Sequence, residues 1–203
     1  MRISELSERS GIPVASIKFY IREGMLPRGA ATSATRAEDD DEHLARLRAI
    51  QALSDVRALP LARVKEILSL IDEPDETPYA TLGKAVSALP PYADETNTDR
   101  ARETIERLGL TYDERFAAVA QLEAAIRGIE AAGLAWDAET AARYAGPLLQ
   151  IAAAELIPLA HLSESEQVSY AVLGTAMYEP AILALRRLAH QHVLATRETD
   201  DDM

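Results

Sequence analysis

Nowhere in this chain of 203 residues do Val, Ile and Thr cluster with the alternating period of a strand. Apolar residues recur instead at three- and four-residue steps almost throughout. The pattern excludes a large sheet and directs the chain to an all-α fold, with room for one small hairpin. Gly and Pro mark the breaks. Ser4 is placed to cap a first helix through about Ser10, which Gly11 ends. Pro13 opens a second, running to Glu23 with Gly24 behind it. Residues 25–41, MLPRGAATSATRAEDDD, read as a loop or short hairpin. Leu44, Leu47, Ile50 and Leu53 give a third helix, and Leu61, Val64, Leu68 and Ile71 a fourth.

The run DEPDETP at 72–78 joins two prolines to four acids and reads as a linker between residues 1–71 and a second helical region, 79–197. There, Tyr79, Leu82, Val86 and Leu89 predict a short helix stopped by Pro90 and Pro91. Another runs from about Asp99 to Leu108. Thr111 and Glu114 have capping-box spacing for a helix to about Ala132. Asp137 starts a helix reaching His161, bent near Pro147 and Pro158. Ser163 and Glu166 repeat the capping-box spacing ahead of a last helix to about Arg197, interrupted at Pro180. The tail 198–203, ETDDDM, is expected to be frayed.

The chain has no cysteine, so disulfides, thiolate metal sites and cysteine nucleophiles are excluded, in keeping with a reducing cytoplasm. MRISELSERS has no apolar core for a signal peptide. The run PLLQIAAAELIPLAHL is short and carries Gln150 and Glu155, so it reads as a core helix rather than a membrane span. No nucleophile–base pair or Gly-rich phosphate loop is visible, and no enzyme is expected. His190 and His192 are two apart on a helix and face different sides, so neither a metal nor another cofactor is expected.

The formal net charge is −12, but it is unevenly placed. Residues 72–203 hold 10 Lys+Arg against 23 Asp+Glu, whereas the first 36 residues hold 6 against 3. Local charge, not net charge, decides whether a polyanion can dock.

Two short helices joined by SGIP have the form of a helix-turn-helix. In the second, Val14, Ile17 and Ile21 fall on one side and should pack on Leu6 and the third helix. Ala15, Ser16, Lys18, Phe19 and Arg22 occupy the rest of the circumference, the face that such a helix offers to a major groove. Read in order, RISELSERSGIPVASIKFYIREGMLP, then ATR, then EHLARLRAIQALSDVRALPLARVKEIL resemble the DNA-binding domain of the MerR family of transcriptional regulators. The likeness covers about residues 2–71.

That resemblance implies a winged helix-turn-helix that dimerises through a later helix. It implies a homodimer seated on double-stranded promoter DNA with an overlong spacer, bending and untwisting it where RNA polymerase binds. A variable C-terminal region would sense an effector. Lys18, where the family usually has Arg, and Tyr20 resemble phosphate contacts; Lys keeps the charge but loses the bidentate fork. Arg36 is retained in the wing, whose two tyrosines are absent. Arg28 precedes the wing within reach of phosphate, and Arg22 lies on the same helix face. Ser16 and Phe19 are left for base reading, since Ala15 cannot hydrogen-bond a base and Pro13 replaces a Ser cap. Asp39, Asp40 and Asp41 would repel DNA unless they cap the third helix, the preferred reading.

The seam Val119, Leu122, Ile126, Ile129, Gly133 is open to two readings, a dimer helix or an intrachain core helix. The last helix, with Ile182, Leu185 and Leu188, is a second dimer candidate. Trp136, Tyr144, Tyr170, Met177, Tyr178 and Glu179 could line a pocket for an apolar or cationic small molecule; aromatics at helical spacing also serve as core. The sequence therefore reads as a dimeric cytoplasmic transcription regulator. Its rival is a ligand-sequestering or protein-interaction module with a vestigial helix-turn-helix.

Overall fold

The computed structural model describes residues 2–33, 36–38, 41–75 and 77–201; for 30–33, 36–38, 78, 164, 165 and 198–201 it describes the backbone alone. By packing, the chain divides into two units, Met1–Pro60 with Leu173–Met203, and Leu61–Val172. The 72–78 run thus lies within the second unit, and the fourth helix packs there.

In the first unit, α1 (Ile3–Ser10) and α2 (Val14–Arg22) are followed by β1 (Ala30–Ser33) and β2 (Arg36–Glu38), then α3 (Asp41–Gln51). The strands pair antiparallel, Ala30 opposite Glu38 and Ala31 opposite Ala37. Leu6 of α1, Ile17 of α2, and Leu47 and Ile50 of α3 are fully buried, with Leu53 beyond them. Each such side chain contributes about 1.5–3 kcal/mol, and together they fix the angle between the helices. Ser4 is not the cap of α1. Ile3 is already helical, Arg2 holds the cap position without a side-chain bond, and Ser4 falls inside the first turn. Past Gln51 the backbone shifts to a π-helical turn over Ala52–Val56.

In the second unit, α4 (Leu61–Asp72) buries Val64, Ile67, Leu68 and Leu70. α5 (Pro78–Ser87) is capped by Thr77, whose Oγ1 accepts the Ala80 N–H at 3.2 Å. α6 (Asp99–Arg107) and α7 (Ala117–Ala131) enclose Ala101, Ile105 and Val119, with Tyr112, Phe116 and Leu122 against them. Tyr79 of α5 stays exposed but stacks on Phe116, ring centroids 5.9 Å apart. α8 (Ala138–Leu156) starts at Asp137, which accepts the Thr140 N–H at 2.8 Å, and passes through Pro147 before a 3₁₀ turn at Ile157–His161.

Two further expectations are corrected. The Thr111–Glu114 capping box does not form, because Asp113 instead accepts the Arg115 N–H and guanidinium, and α7 begins only at Ala117. Pro180 does not interrupt the last helix. α9 (Glu164–Asp201) runs through it, losing one backbone bond while its flanking turns hold. The other capping pair is present: Glu166 Oε2 accepts both the N–H and the hydroxyl of Ser163.

Along α7, Val119 and Ile126 are buried within the chain, so the first half of that seam is intrachain core. The buried acid Glu123, 4 % exposed, accepts the Ala101 N–H at 2.9 Å and closes the first turn of α6 from across the packing.

Candidate nucleic-acid interface

Gly11 takes the left-handed conformation, φ 72°, that the sharp turn needs. Its N–H donates to Ser7 O at 2.9 Å, and Ser7 Oγ donates to Ile12 O at 2.6 Å. Ile12 N–H donates to Ser10 Oγ at 3.2 Å. Ile12 itself is buried, so the turn is fixed both by polar bonds and by an apolar anchor. Pro13 holds the cap position of α2, and no side chain caps the helix.

With Ile17 inward and Val14 and Ile21 half-buried, the helical period turns Ala15, Lys18 and Arg22 to solvent on one face. Ser16, Phe19 and Tyr20 flank it, half-buried. Phe19 meets Tyr20 edge-on, centroids 5.8 Å apart, and the Arg22 guanidinium lies 5.2 Å from the Phe19 centroid. Arg22 also touches Glu23 at 3.4 Å. Lys18 and Arg28 are exposed and carry no ion pair with the described residues. The backbone of Arg36 lies in β2; its side chain is outside the described residues, as are Asp39 and Asp40.

The helix exit is pinned. Gly24 is left-handed at φ 74°, and the Met25 and Leu26 N–H groups both return to Tyr20 O, at 2.9 and 3.2 Å. Met25 and Leu26 are buried, and Arg46 of α3 donates from Nε to Met25 O at 2.9 Å. Asp41 lies in the first turn of α3, as the capping reading requires, and Arg9 of α1 meets it at 2.9 Å. Neither Arg9 nor Arg46 was among the residues singled out from sequence. The only trace of Arg46 there is its place in H-L-x-R-L, which says nothing of its partner.

The residues proposed for an effector pocket divide between the units. Trp136 stacks on Tyr144, centroids 6.2 Å apart, and donates from Nε1 to Thr104 Oγ1 at 3.3 Å. Tyr170 lies in the same unit, half-buried. Met177, Tyr178 and Glu179 belong to the other unit, where Arg57 engages Glu179. None of the six lines the open cleft of about 550 Å³ that the second unit carries beside Glu123, Arg127 and Glu130.

A helix-turn-helix with a basic outer face, its exit clamped to a third helix and followed by paired strands, defines the DNA-reading class of regulatory protein. Residues 1–71 match the family model of MerR HTH family regulatory proteins. The whole chain is similar to a crystal structure from Streptomyces coelicolor A3(2), that of SCO5550, assigned as a transcriptional regulator. It is 32 % identical, with a TM-score of 0.72 and 97 % of each chain covered. The chain belongs to the MerR family of helix-turn-helix regulators. No curated protein gives a significant match.

Proposed function

We propose that the chain is a transcription regulator that binds promoter DNA as a homodimer, presenting the α2 face to the major groove. The observation that carries this is the solvent face Ala15–Lys18–Arg22, backed by buried Ile17 and held by the Arg46–Met25 bond. Lys18, Tyr20, Arg28 and Arg36 take phosphates; Ser16 and Phe19 are the base readers; Arg22 supports Phe19. With so few base-edge donors, deformation of the site carries much of the specificity. Dimerisation through α9 is supported by the exposed apolar side chains Leu183, Leu185, Leu188 and Leu194. Polymerase contact at the promoter and control by an apolar or cationic molecule near the half-exposed Trp136–Tyr144 stack complete the reading, and a DNA-bound regulator works in the cytoplasm.

Glu166–Arg197 is also long and apolar enough to cross a membrane by length and composition. A membrane role is disfavoured because Glu179, inside that stretch, is ion-paired with Arg57. The deciding experiment is an electrophoretic shift on the chain's own upstream DNA with sedimentation of the free protein. A retarded complex of two chains is expected. No shift at low salt would leave the interaction-module reading instead.

A further inference from the structure

Arg57 and Glu179 are 122 residues apart in sequence and meet in one unit, Arg57 Nη2 donating to Glu179 Oε2 at 2.8 Å. The Arg57 side chain is 8 % exposed. A structural ion pair at such burial ordinarily has its other polar atoms bonded and its backbone relaxed. Here neither holds.

Arg57 Nε and Ser54 Oγ, three residues earlier, are both buried and find no partner among the described residues. The π-helical turn Ala52–Val56 leads directly into Arg57, and such turns depart from the favoured helical bonding. Ala58, the next residue, sits at φ 51°, a left-handed conformation that a residue with a Cβ seldom adopts. On the other side, burial pushes the Glu179 carboxyl above its ordinary range even though Arg57 opposes the shift. Pro180 follows Glu179 and has no N–H to give to the preceding turn, so α9 lacks one backbone bond beside the contact. The closed arrangement therefore sets one charged bond and the burial of Ala176 against several unfavourable local terms, which is the condition for a two-state element.

A path to the interface also exists. The π-helical turn continues α3, and α3 carries Arg46, whose bond to Met25 O fixes the exit of α2.

We propose that the Arg57–Glu179 pair is a releasable latch: closed, it holds the Leu173–Glu179 stretch of α9 on the turn that ends α3; open, it lets that stretch lift away, and the two states bind DNA with different affinity. The second half of this statement rests on the DNA-binding reading above; the first does not.

The test is hydrogen exchange on the full chain without DNA, followed by DNA titration of the same samples. Glu179→Gln should speed exchange of the amides of residues 173–185 by about tenfold or more, since a charge-assisted bond becomes a neutral one. The amides of α1 and α2 should keep their protection. Exchanging the partners, Arg57→Glu with Glu179→Arg, should restore slow exchange, which a merely filled core position would not do. A duplex of unrelated sequence should then bind Glu179→Gln with a dissociation constant changed by about threefold or more. Unchanged exchange at 173–185 in Glu179→Gln, or an equal rise across α1 and α2, overturns the latch. Altered exchange with wild-type DNA affinity overturns the coupling. If the wild type itself binds no DNA while the exchange response persists, the DNA reading fails and the latch stands.

Discussion

Replacing Lys18 with alanine probes the proposed interface at a cation whose surroundings are simple. Lys18 is exposed on α2 and carries no ion pair with the described residues, so its loss should leave the fold intact. Arg22 is already engaged by Phe19 and Glu23, which leaves Lys18, Arg28 and Arg36 as the principal phosphate ligands of each protomer. About six such contacts in the dimer give a slope of log affinity against log salt near −5.4, or a loss of about 1,800-fold between about 50 and 200 mM. Lys18→Ala removes about two, so the slope should flatten to roughly −3.6 and the loss over the same range to about 150-fold. The measurement is fluorescence anisotropy of labelled duplexes of unrelated sequence, titrated at several salt concentrations. Lys18→Arg should keep the wild-type slope, and circular dichroism should show unchanged melting for both variants. A slope that stays at the wild-type value in Lys18→Ala would refute the phosphate assignment. So would a loss confined to one sequence, because phosphate contacts carry no base information.

Glu123→Ala should cost about 2–3 kcal/mol in urea unfolding, because it leaves the buried Ala101 N–H without its charged acceptor. Glu123→Gln should recover part of that, and equal destabilisation by both would contradict the capping role. Gly11→Ala meets no atom within 4 Å, so its effect is backbone strain at φ 72°, about 1–2 kcal/mol. Its DNA affinity should fall only as far as the unfolded fraction explains. Asp113 is held at about 2, below its ordinary value of 3.8, by the Arg115 side chain and N–H. A depressed carboxylate adds stability above the unfolded value and loses it as pH falls through the folded one. The melting-temperature gap between wild type and Asp113→Asn should therefore be flat above about pH 5 and close towards pH 2. The Arg115 partner is exposed to solvent, so the gap is small; a gap that widens in acid would reverse the sign of the argument.

What was legible in the sequence was local. Pro13 and Gly24 bracket α2, Ile17 marks its inner face, and Ser163 with Glu166 and Asp137 with Thr140 announce helix starts that need only neighbours three residues away. Thr111 and Glu114 offered the same signal and misled, because Asp113 between them had a stronger local partner in Arg115. Pro180 misled in the opposite sense. A proline breaks a helix only when nothing else holds the turn, and in α9 the flanking residues do. The bonds that shape the candidate interface were not legible at all. Arg46 to Met25 spans 21 residues and Arg57 to Glu179 spans 122, and no spacing rule selects one arginine among many for a distant partner.

The placement of cations resolves how so acidic a chain can meet DNA. In the unit Leu61–Val172 nearly every cation is committed to a carboxylate: Lys84 to Asp75, Arg63 to Glu66, Arg100 to Glu130, Arg107 to Glu103, Arg115 to Asp113 and Arg127 to Glu95. Its excess acid is left as a net negative surface that repels a polyanion and leaves only the other unit to bind it. In the helix-turn-helix the pattern reverses. Lys18 and Arg28 have no carboxylate partner among the described residues, while Asp41 is met by Arg9. Exposed pairs of this kind add little stability, so their value lies in direction rather than in strength. They cancel charge where DNA should not dock and leave it uncancelled on one helix face. On the proposed reading, a chain of net charge −12 meets a duplex by the face that keeps its cations uncancelled, the outer face of α2.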